Sequence, residues 1–217
     1  MNKFEALRKT MVDTQVRPSG ITRGEVIDAM NSIPRELFLP ESLADLSYVE
    51  HSIGLRSNRF LVDPRTLAKL LESAKIKENE LVLVVASGCG YSSAVIGFLA
   101  EAVVALESDE DFIVESDKSL TNAGIDNVIV IHGALGLGAS QHGPYDVIIL
   151  EGSVDEIPAP LIDQIKDKGR ILAFFKHGTI CEAKLGIKSQ GVISWRVCFS
   201  CYVPQLKELQ TQEVFVL

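Results

Sequence analysis

Four short apolar runs, Leu81 to Val85, Ala102 to Leu106, Val128 to Ile131 and Val147 to Leu150, alternate with longer mixed stretches, and this rhythm restricts the chain more than any other feature. Each run is uninterrupted and rich in β-branched residues, as strands buried on both faces of a parallel sheet have to be. Tyr91 to Ala100 and Asp109 to Ala123 have the length of crossover helices. Strand and helix in alternation predict an α/β fold with a doubly wound, Rossmann-like sheet. A fifth strand is expected over Arg170 to Phe175, after a helix over Pro158 to Lys168 and a turn at Gly169. Val192 to Val203 and Glu213 to Leu217 read as antiparallel additions to one edge.

Residues 1–65 read as a helical cap. Val26, Ile27, Ala29, Met30 and Ile33 fall at helical spacing over Arg23 to Ser32, and Pro34 stops that helix. A further helix is expected over Pro64 to Lys75, with Leu67, Leu70, Leu71 and Ala74 on one face. No repeat or low-complexity linker interrupts the chain, and 217 residues at 47% hydrophobic suffice for one substantial core. The organisation expected is a single domain over 1–217, with an α/β core over 66–175 and C-terminal strands over 176–217.

A formal net charge of −8 argues against a surface that tracks nucleic-acid phosphates. The charged first ten residues lack a signal-peptide core, and no uncharged run approaches the ~18 residues of a membrane span. The expectation is a soluble cytoplasmic protein with a small-molecule or peptide partner and neither nucleic acid nor membrane. Four cysteines in a chain this long do not make a disulfide framework. Cys198 and Cys201 form a C-x-x-C within a strand-like run. Residues three apart on a strand face opposite sides, so no metal is expected there.

The chemistry concentrates in Val82-Leu-Val-Val-Ala-Ser-Gly-Cys-Gly-Tyr91, a buried strand leading through a glycine turn into a helix. Such a turn lets a ligand approach the backbone while amides at the helix start donate to it, and Gly88 and Gly90 are its permissive positions. Glu107 ends the second strand 19 residues after Gly88. That is close to the ~20 expected for an acid that binds both ribose hydroxyls of a nucleoside. Ser108 adjoins it, and Asp109 is expected to cap the following helix.

Met11-Val-Asp-Thr-Gln15, Gly20-Ile21, Val26, Ala29-Met30 and Ile33-Pro-Arg-Glu-Leu-Phe-Leu-Pro40 resemble the amino-terminal signature of the protein-L-isoaspartate O-methyltransferases. Ser87-Gly-Cys-Gly-Tyr91 resembles that family's cofactor loop, Glu107 its ribose-binding acid, and Pro144-Tyr-Asp-Val-Ile148 its fourth strand. Ile157-Pro158, Gln164 and Gly169-Arg170 resemble the run that follows. The resemblance spans almost the whole chain. It implies a methyltransferase sheet, S-adenosylmethionine as cofactor, and methyl transfer to the α-carboxylate of isoaspartyl residues in damaged proteins.

The departures fall within the implied site. Val84 stands where the family has an acid near the cofactor's amino group. Ala86 stands at the first loop glycine, where a β-carbon costs ~1 kcal/mol if the backbone needs positive φ. Gly133-Ala134-Leu135 replaces a Gly-Asp-Gly whose aspartate lies near the adenine. In the substrate loop, Gly54-Leu-Arg-Ser-Asn-Arg-Phe-Leu-Val-Asp-Pro64, counting back from Pro64 puts Val62 at the family's active-site serine and Asp63 at its glutamine. Ser57 or Asn58 could replace the lost hydroxyl. Arg56, Arg59 or Arg65 would have to outweigh Asp63 for a carboxylate substrate to bind. Two other readings stay open: a weak or inactive relative that binds a peptide or partner, and an enzyme with another cofactor or acceptor. Oligomeric state is open as well.

Overall fold

A computed structural model describes residues 3–210. The amino-terminal cap contains α1 (Lys3–Met11), a π-helical turn over Val12–Val16, and α2 (Gly24–Ser32). Val26, Ile27, Ala29 and Met30 of α2 are buried, as their spacing requires, and the helix ends two residues before Pro34. A small hairpin follows, β1 (Ile53–Gly54) against β2 (Phe60–Leu61). Next comes α3 (Pro64–Ala74), started by Asp63, whose side chain accepts from Thr66 N, and by Pro64 in its first turn.

The main sheet has seven strands: β3 (Leu81–Val85), β4 (Ala102–Glu107), β5 (Val128–His132), β6 (Tyr145–Val154), β7 (Ile165–His177), β8 (Ile180–Ser189) and β9 (Val192–Cys201). Their order is β5-β4-β3-β6-β7-β8-β9, parallel through β7 and antiparallel thereafter. The crossover helices are α4 (Tyr91–Gly97) and α5 (Glu110–Asn122). Successive strand residues feed two cores, one on each face. Val82, Val84, Val103, Ala105, Val147 and Ile149 belong to the first; Leu83, Val85, Val104, Leu106, Ile148 and Leu150 belong to the second. Because β3 pairs with β4 on one side and β6 on the other, the order in which strands are added reverses there. The carboxyl ends of these three strands form the crevice where open α/β sheets bind ligands.

Three expectations change. The helix expected over 158–168 is only α6, Ala159–Asp163, because Tyr145 N takes the carbonyl of Gln164 (2.8 Å) and pairing of Tyr145 with Ile165 draws the next residues into β7. Strand β8 was not expected: Cys181, Ala183 and Leu185 alternate inward, but Lys184, Gly186 and Lys188 hide the pattern. The opposite-faces argument for Cys198 and Cys201 also fails. A bulge between Val197 and Phe199 breaks the alternation, and both cysteines pack against the first core. No group of three or more potential ligands for a metal occurs among the described residues, and the four cysteines are free thiols. The strand expected over 213–217 lies outside the described residues. No helix among those described is long and apolar enough to cross a membrane.

Candidate active site

The turn after β3 holds the shape of a glycine loop although its first residue is alanine. Ala86 sits at φ +63°, with Gly88 at +51° and Gly90 at +86°. Ala86 N and Ser87 N both donate to Leu106 O, at 3.0 and 3.2 Å, which ties the turn to the end of β4. A β-carbon at Gly88 would meet Cβ of Arg59 at 3.5 Å, whereas at Gly90 it would press on Cβ of Ser116 at 2.9 Å. Gly88 therefore lies directly under the Arg59 side chain, while Gly90 chiefly lets α5 pack against the start of α4.

Glu107 is completely buried at the end of β4. Its carboxylate accepts from Gly88 N (2.8 Å), Ser108 N (2.7 Å) and Asp109 N (3.1 Å). Two further donors come from Arg59, Nε at 2.9 Å and Nη2 at 2.8 Å. This is a bidentate guanidinium–carboxylate pair out of contact with solvent. Arg59 also binds Glu208 (2.9 and 3.0 Å), Ser108 Oγ (3.0 Å) and Ser57 O (3.1 Å). Despite the cost of burial, the two carboxylates raise the Arg59 pKa above its ordinary value. Burial also works against ionised Glu208, but Arg59 and Ser108 hold it below the usual carboxylate range.

The hairpin aims Arg59. Ser57 and Asn58 both adopt positive φ, and Arg59 N donates to Arg56 O at 2.9 Å, closing a tight turn. Ser57 hydrogen-bonds Asp109, and Asn58 Nδ2 reaches Gln205 O at 2.6 Å. The segment around Gln205 is itself bound to β6, since Ser153 N donates to Pro204 O and Leu206 N to Ser153 O, each at 2.9 Å. Loop and tail together close the crevice.

The remaining expected site residues scatter. Asp109 caps α5 as anticipated, accepting from Asp111 N and Phe112 N. Arg56 is held against α5, 3.9 Å over the Phe112 ring and paired with Glu115 at 2.8 Å, and lines a cavity with Phe112 and Cys89. Arg65 pairs with Glu50. Asp63 caps α3 through Thr66 N (2.9 Å), so its carboxylate is already engaged there. Val62 is buried, and its carbonyl accepts from Arg35 Nη2 at 2.5 Å. Gly133 N donates to Glu107 O at 2.9 Å. Ala134 lines a cavity of about 740 Å³ with Ser108, Leu135, Pro158 and Glu208.

Sequence reading missed two groups in this region, Arg35 and Glu151. Arg35 is fully buried within the Pro-Arg-Glu string, donating to Ser47 O (2.7 Å) and stacking 4.7 Å from the Tyr91 ring centre. Glu151 ends the run Val147 to Leu150, in the position on β6 that Glu107 holds on β4; that symmetry could have drawn attention to it. Burial pushes its carboxyl up to about 8.

The frame suits an adenosyl cofactor: a carboxylate at a strand end, a left-handed glycine covered by the Arg59 side chain, and unpaired buried polar atoms at Ser87 Oγ and Glu151 Oε1. The Arg59 guanidinium occupies both Glu107 oxygens with its two donors. With Arg59 in place, that carboxylate is closed to any further donor from the crevice.

The chain matches the profile of the family described as Protein-L-isoaspartate(D-aspartate) O-methyltransferase over residues 7–210. A protein-L-isoaspartate O-methyltransferase of Syntrophus aciditrophicus (strain SB) is 31% identical over 172 residues, 79% of this chain and 79% of that protein. Its counterpart in Methanoculleus marisnigri (strain ATCC 35101 / DSM 1498 / JR1) is 33% identical over 166 residues, 76% of each. Among solved structures, a protein-L-isoaspartate O-methyltransferase superposes with TM-score 0.82 at 23% identity, over 94% of this chain and 67% of its own. A Plasmodium falciparum structure named for the same activity, in complex with S-adenosyl-L-homocysteine, gives 0.79 at 19% identity, over 96% and 100%.

Proposed function

Because this chain belongs to the protein-L-isoaspartate(D-aspartate) O-methyltransferase family, we propose that it transfers a methyl group from S-adenosylmethionine to the α-carboxylate of isoaspartyl residues in damaged proteins. One observation carries the reading at the site: Glu107 and Gly88 face the crevice where the strand order reverses, and the loop keeps its left-handed turn even with alanine at its first position. When bound, the cofactor supplies an electrophilic methyl group on a sulfonium.

The chain's own residues have three tasks. Glu107 and Ser108 hold the ribose side, with Gly88 leaving space for it once Arg59 moves away and Gly133 and Ala134 bounding the adenine side. Second, Arg59 has to leave Glu107 for the ribose to be bound. Third, the hairpin and tail exclude water and orient the acceptor, where most of the rate should arise. An α-carboxylate with pKa near ~4 is already ionised at neutral pH, so no general base is needed. Arg59, once it leaves Glu107, and Arg56, by giving up Glu115, are the hairpin cations that would meet an acceptor carboxylate. Ser57 and Asn58 are its polar side chains, Val62 contributes only apolar wall, and Asp63 stays with α3.

We read residues 1–217 as one methyltransferase-like domain acting on peptides or proteins in the cytoplasm, without nucleic acid or membrane. The net charge of −8 supports that choice of partner. Calorimetric titration with S-adenosylhomocysteine, followed by methyl transfer to an isoaspartyl peptide, tests the assignment. Binding with transfer is the expected result. Binding of the peptide with no cofactor binding at millimolar concentration would overturn it in favour of a non-catalytic peptide-binding role.

A further inference from the structure

Glu151 has no evident structural task. It continues the inward face set by Val147 and Ile149, and its side chain is almost entirely buried at 6% exposure. Ser92 hydrogen-bonds it, yet Oε1 has no partner among the described residues. Arg35 is the cation whose charge reaches it; its Nε and Nη2 are committed to Ser47 O and Val62 O, and its buried Nη1 makes no hydrogen bond among the described residues. Burial outweighs what Arg35 and Ser92 contribute, so the carboxyl keeps its proton at neutral pH.

Its position is informative. Val85 pairs with Leu106 on one side and Leu150 on the other, so Glu107 and Glu151 both stand level with Ala86, flanking the turn. Glu107 follows Val103 and Ala105 on the same sheet face as Glu151. Two strand spacings separate the two acids, ~9–10 Å. The aminoalkyl arm of an adenosyl amino-acid cofactor can cover such a distance when its ribose lies on Glu107. Ser87 Oγ, buried and unpaired, lies in the turn between them.

We propose that Glu151 receives the α-ammonium of the cofactor's amino-acid arm, in an ion pair formed only on binding. This rests on the methyltransferase reading and adds the residue that recognises the arm, on β6, where β3 presents only Val84. The groups facing Glu151 are Glu107 of β4, which raises its pKa, Arg35 and Ser92, which lower it, and Cys89. Cys89 remains a thiol, pushed up to about 11 by burial. With the Glu151 carboxyl near 8, pairing with an ammonium at pH 7 expels its proton.

The test compares S-adenosylhomocysteine, which has the arm, with 5′-methylthioadenosine, which lacks it, by calorimetry in buffers of different ionisation enthalpy. The full chain and its Glu151→Gln variant are titrated, each also with Arg59→Ala to remove the closed contact. S-adenosylhomocysteine should release close to one proton per molecule bound at pH 7 in the parent, a readout that needs no variant at position 151. Glu151→Gln should weaken it about tenfold or more and leave 5′-methylthioadenosine within about twofold. No proton release, or equal weakening of both ligands, would overturn the assignment of Glu151 alone. If neither ligand bound the parent or the Arg59→Ala chain, the cofactor reading would fall together with it.

Discussion

Replacing Arg59 with alanine should make the protein less stable and at the same time a better binder of adenosyl ligands. Arg59 makes six hydrogen bonds, four of them to the carboxylates of Glu107 and Glu208. Removing one partner of a buried ion pair costs ~3–5 kcal/mol. The lower end applies here, because Glu107 keeps three backbone amides and Glu208 is 42% exposed and can be hydrated. A loss of about 3 kcal/mol in unfolding free energy is expected from urea denaturation. Opening the contact in the parent costs less, since a displaced Arg59 regains water: on the order of 2–3 kcal/mol. The open form is then roughly one molecule in 30 to 150, which weakens apparent affinity by the same factor. Arg59→Ala removes that competition, so S-adenosylhomocysteine should bind roughly 30- to 150-fold more tightly by calorimetry. Glu208→Gln, which leaves the inner pair intact, should give only a severalfold gain. Unchanged or weaker binding by a folded Arg59→Ala protein would refute competition for Glu107.

Glu107→Gln leaves Arg59 buried with one carboxylate partner fewer; it should cost about 3 kcal/mol in denaturation and weaken adenosyl-ligand binding tenfold or more. Undiminished binding would remove Glu107 from the ribose site. Since the Glu151 carboxyl is raised to about 8 in the folded chain, the native state holds a proton that the unfolded state gives up near ~4.5. Stability from this group should therefore be intact below pH ~4.5, fall as pH rises, and level off above about 8; Glu151→Gln should flatten that slope in denaturation series at pH 5.5 and 8. Ala86→Gly relieves a left-handed alanine and should stabilise the fold by roughly 0.5–1 kcal/mol, the strain relief exceeding glycine's entropic cost. A lower melting temperature for this variant would show that the turn is not strained.

The parallel core was legible because it is local and repetitive. A strand buried on both faces needs an unbroken apolar run, and each run in 81–150 became the centre of a strand. The same logic placed Glu107 at the end of β4, and helix-capping chemistry placed Asp109 at the start of α5. Sequence also fixed the family, through the cap string and the loop spacing. Helix α6 and strand β8 were misread or missed because pairing with distant strands, rather than local pattern, decides where each begins.

The occupants of the crevice were settled only by tertiary structure. Arg59 was one of three hairpin-region arginines that sequence could not rank. A turn with positive φ at Ser57 and Asn58 sends it to a carboxylate 48 residues away and a second 149 away, while Arg56 and Arg65 turn to other acids. Asp63, which by its position looked like a repulsive substrate contact, caps a helix. Glu151 became conspicuous only when register set it level with Glu107 across β3 and packing excluded solvent and left its Oε1 without a partner among the described residues. Periodicity along a chain specifies which side chains are buried, because burial of an element's face repeats with its geometry. It carries no information about which buried charges meet, because that depends on segments far apart in sequence converging on one point.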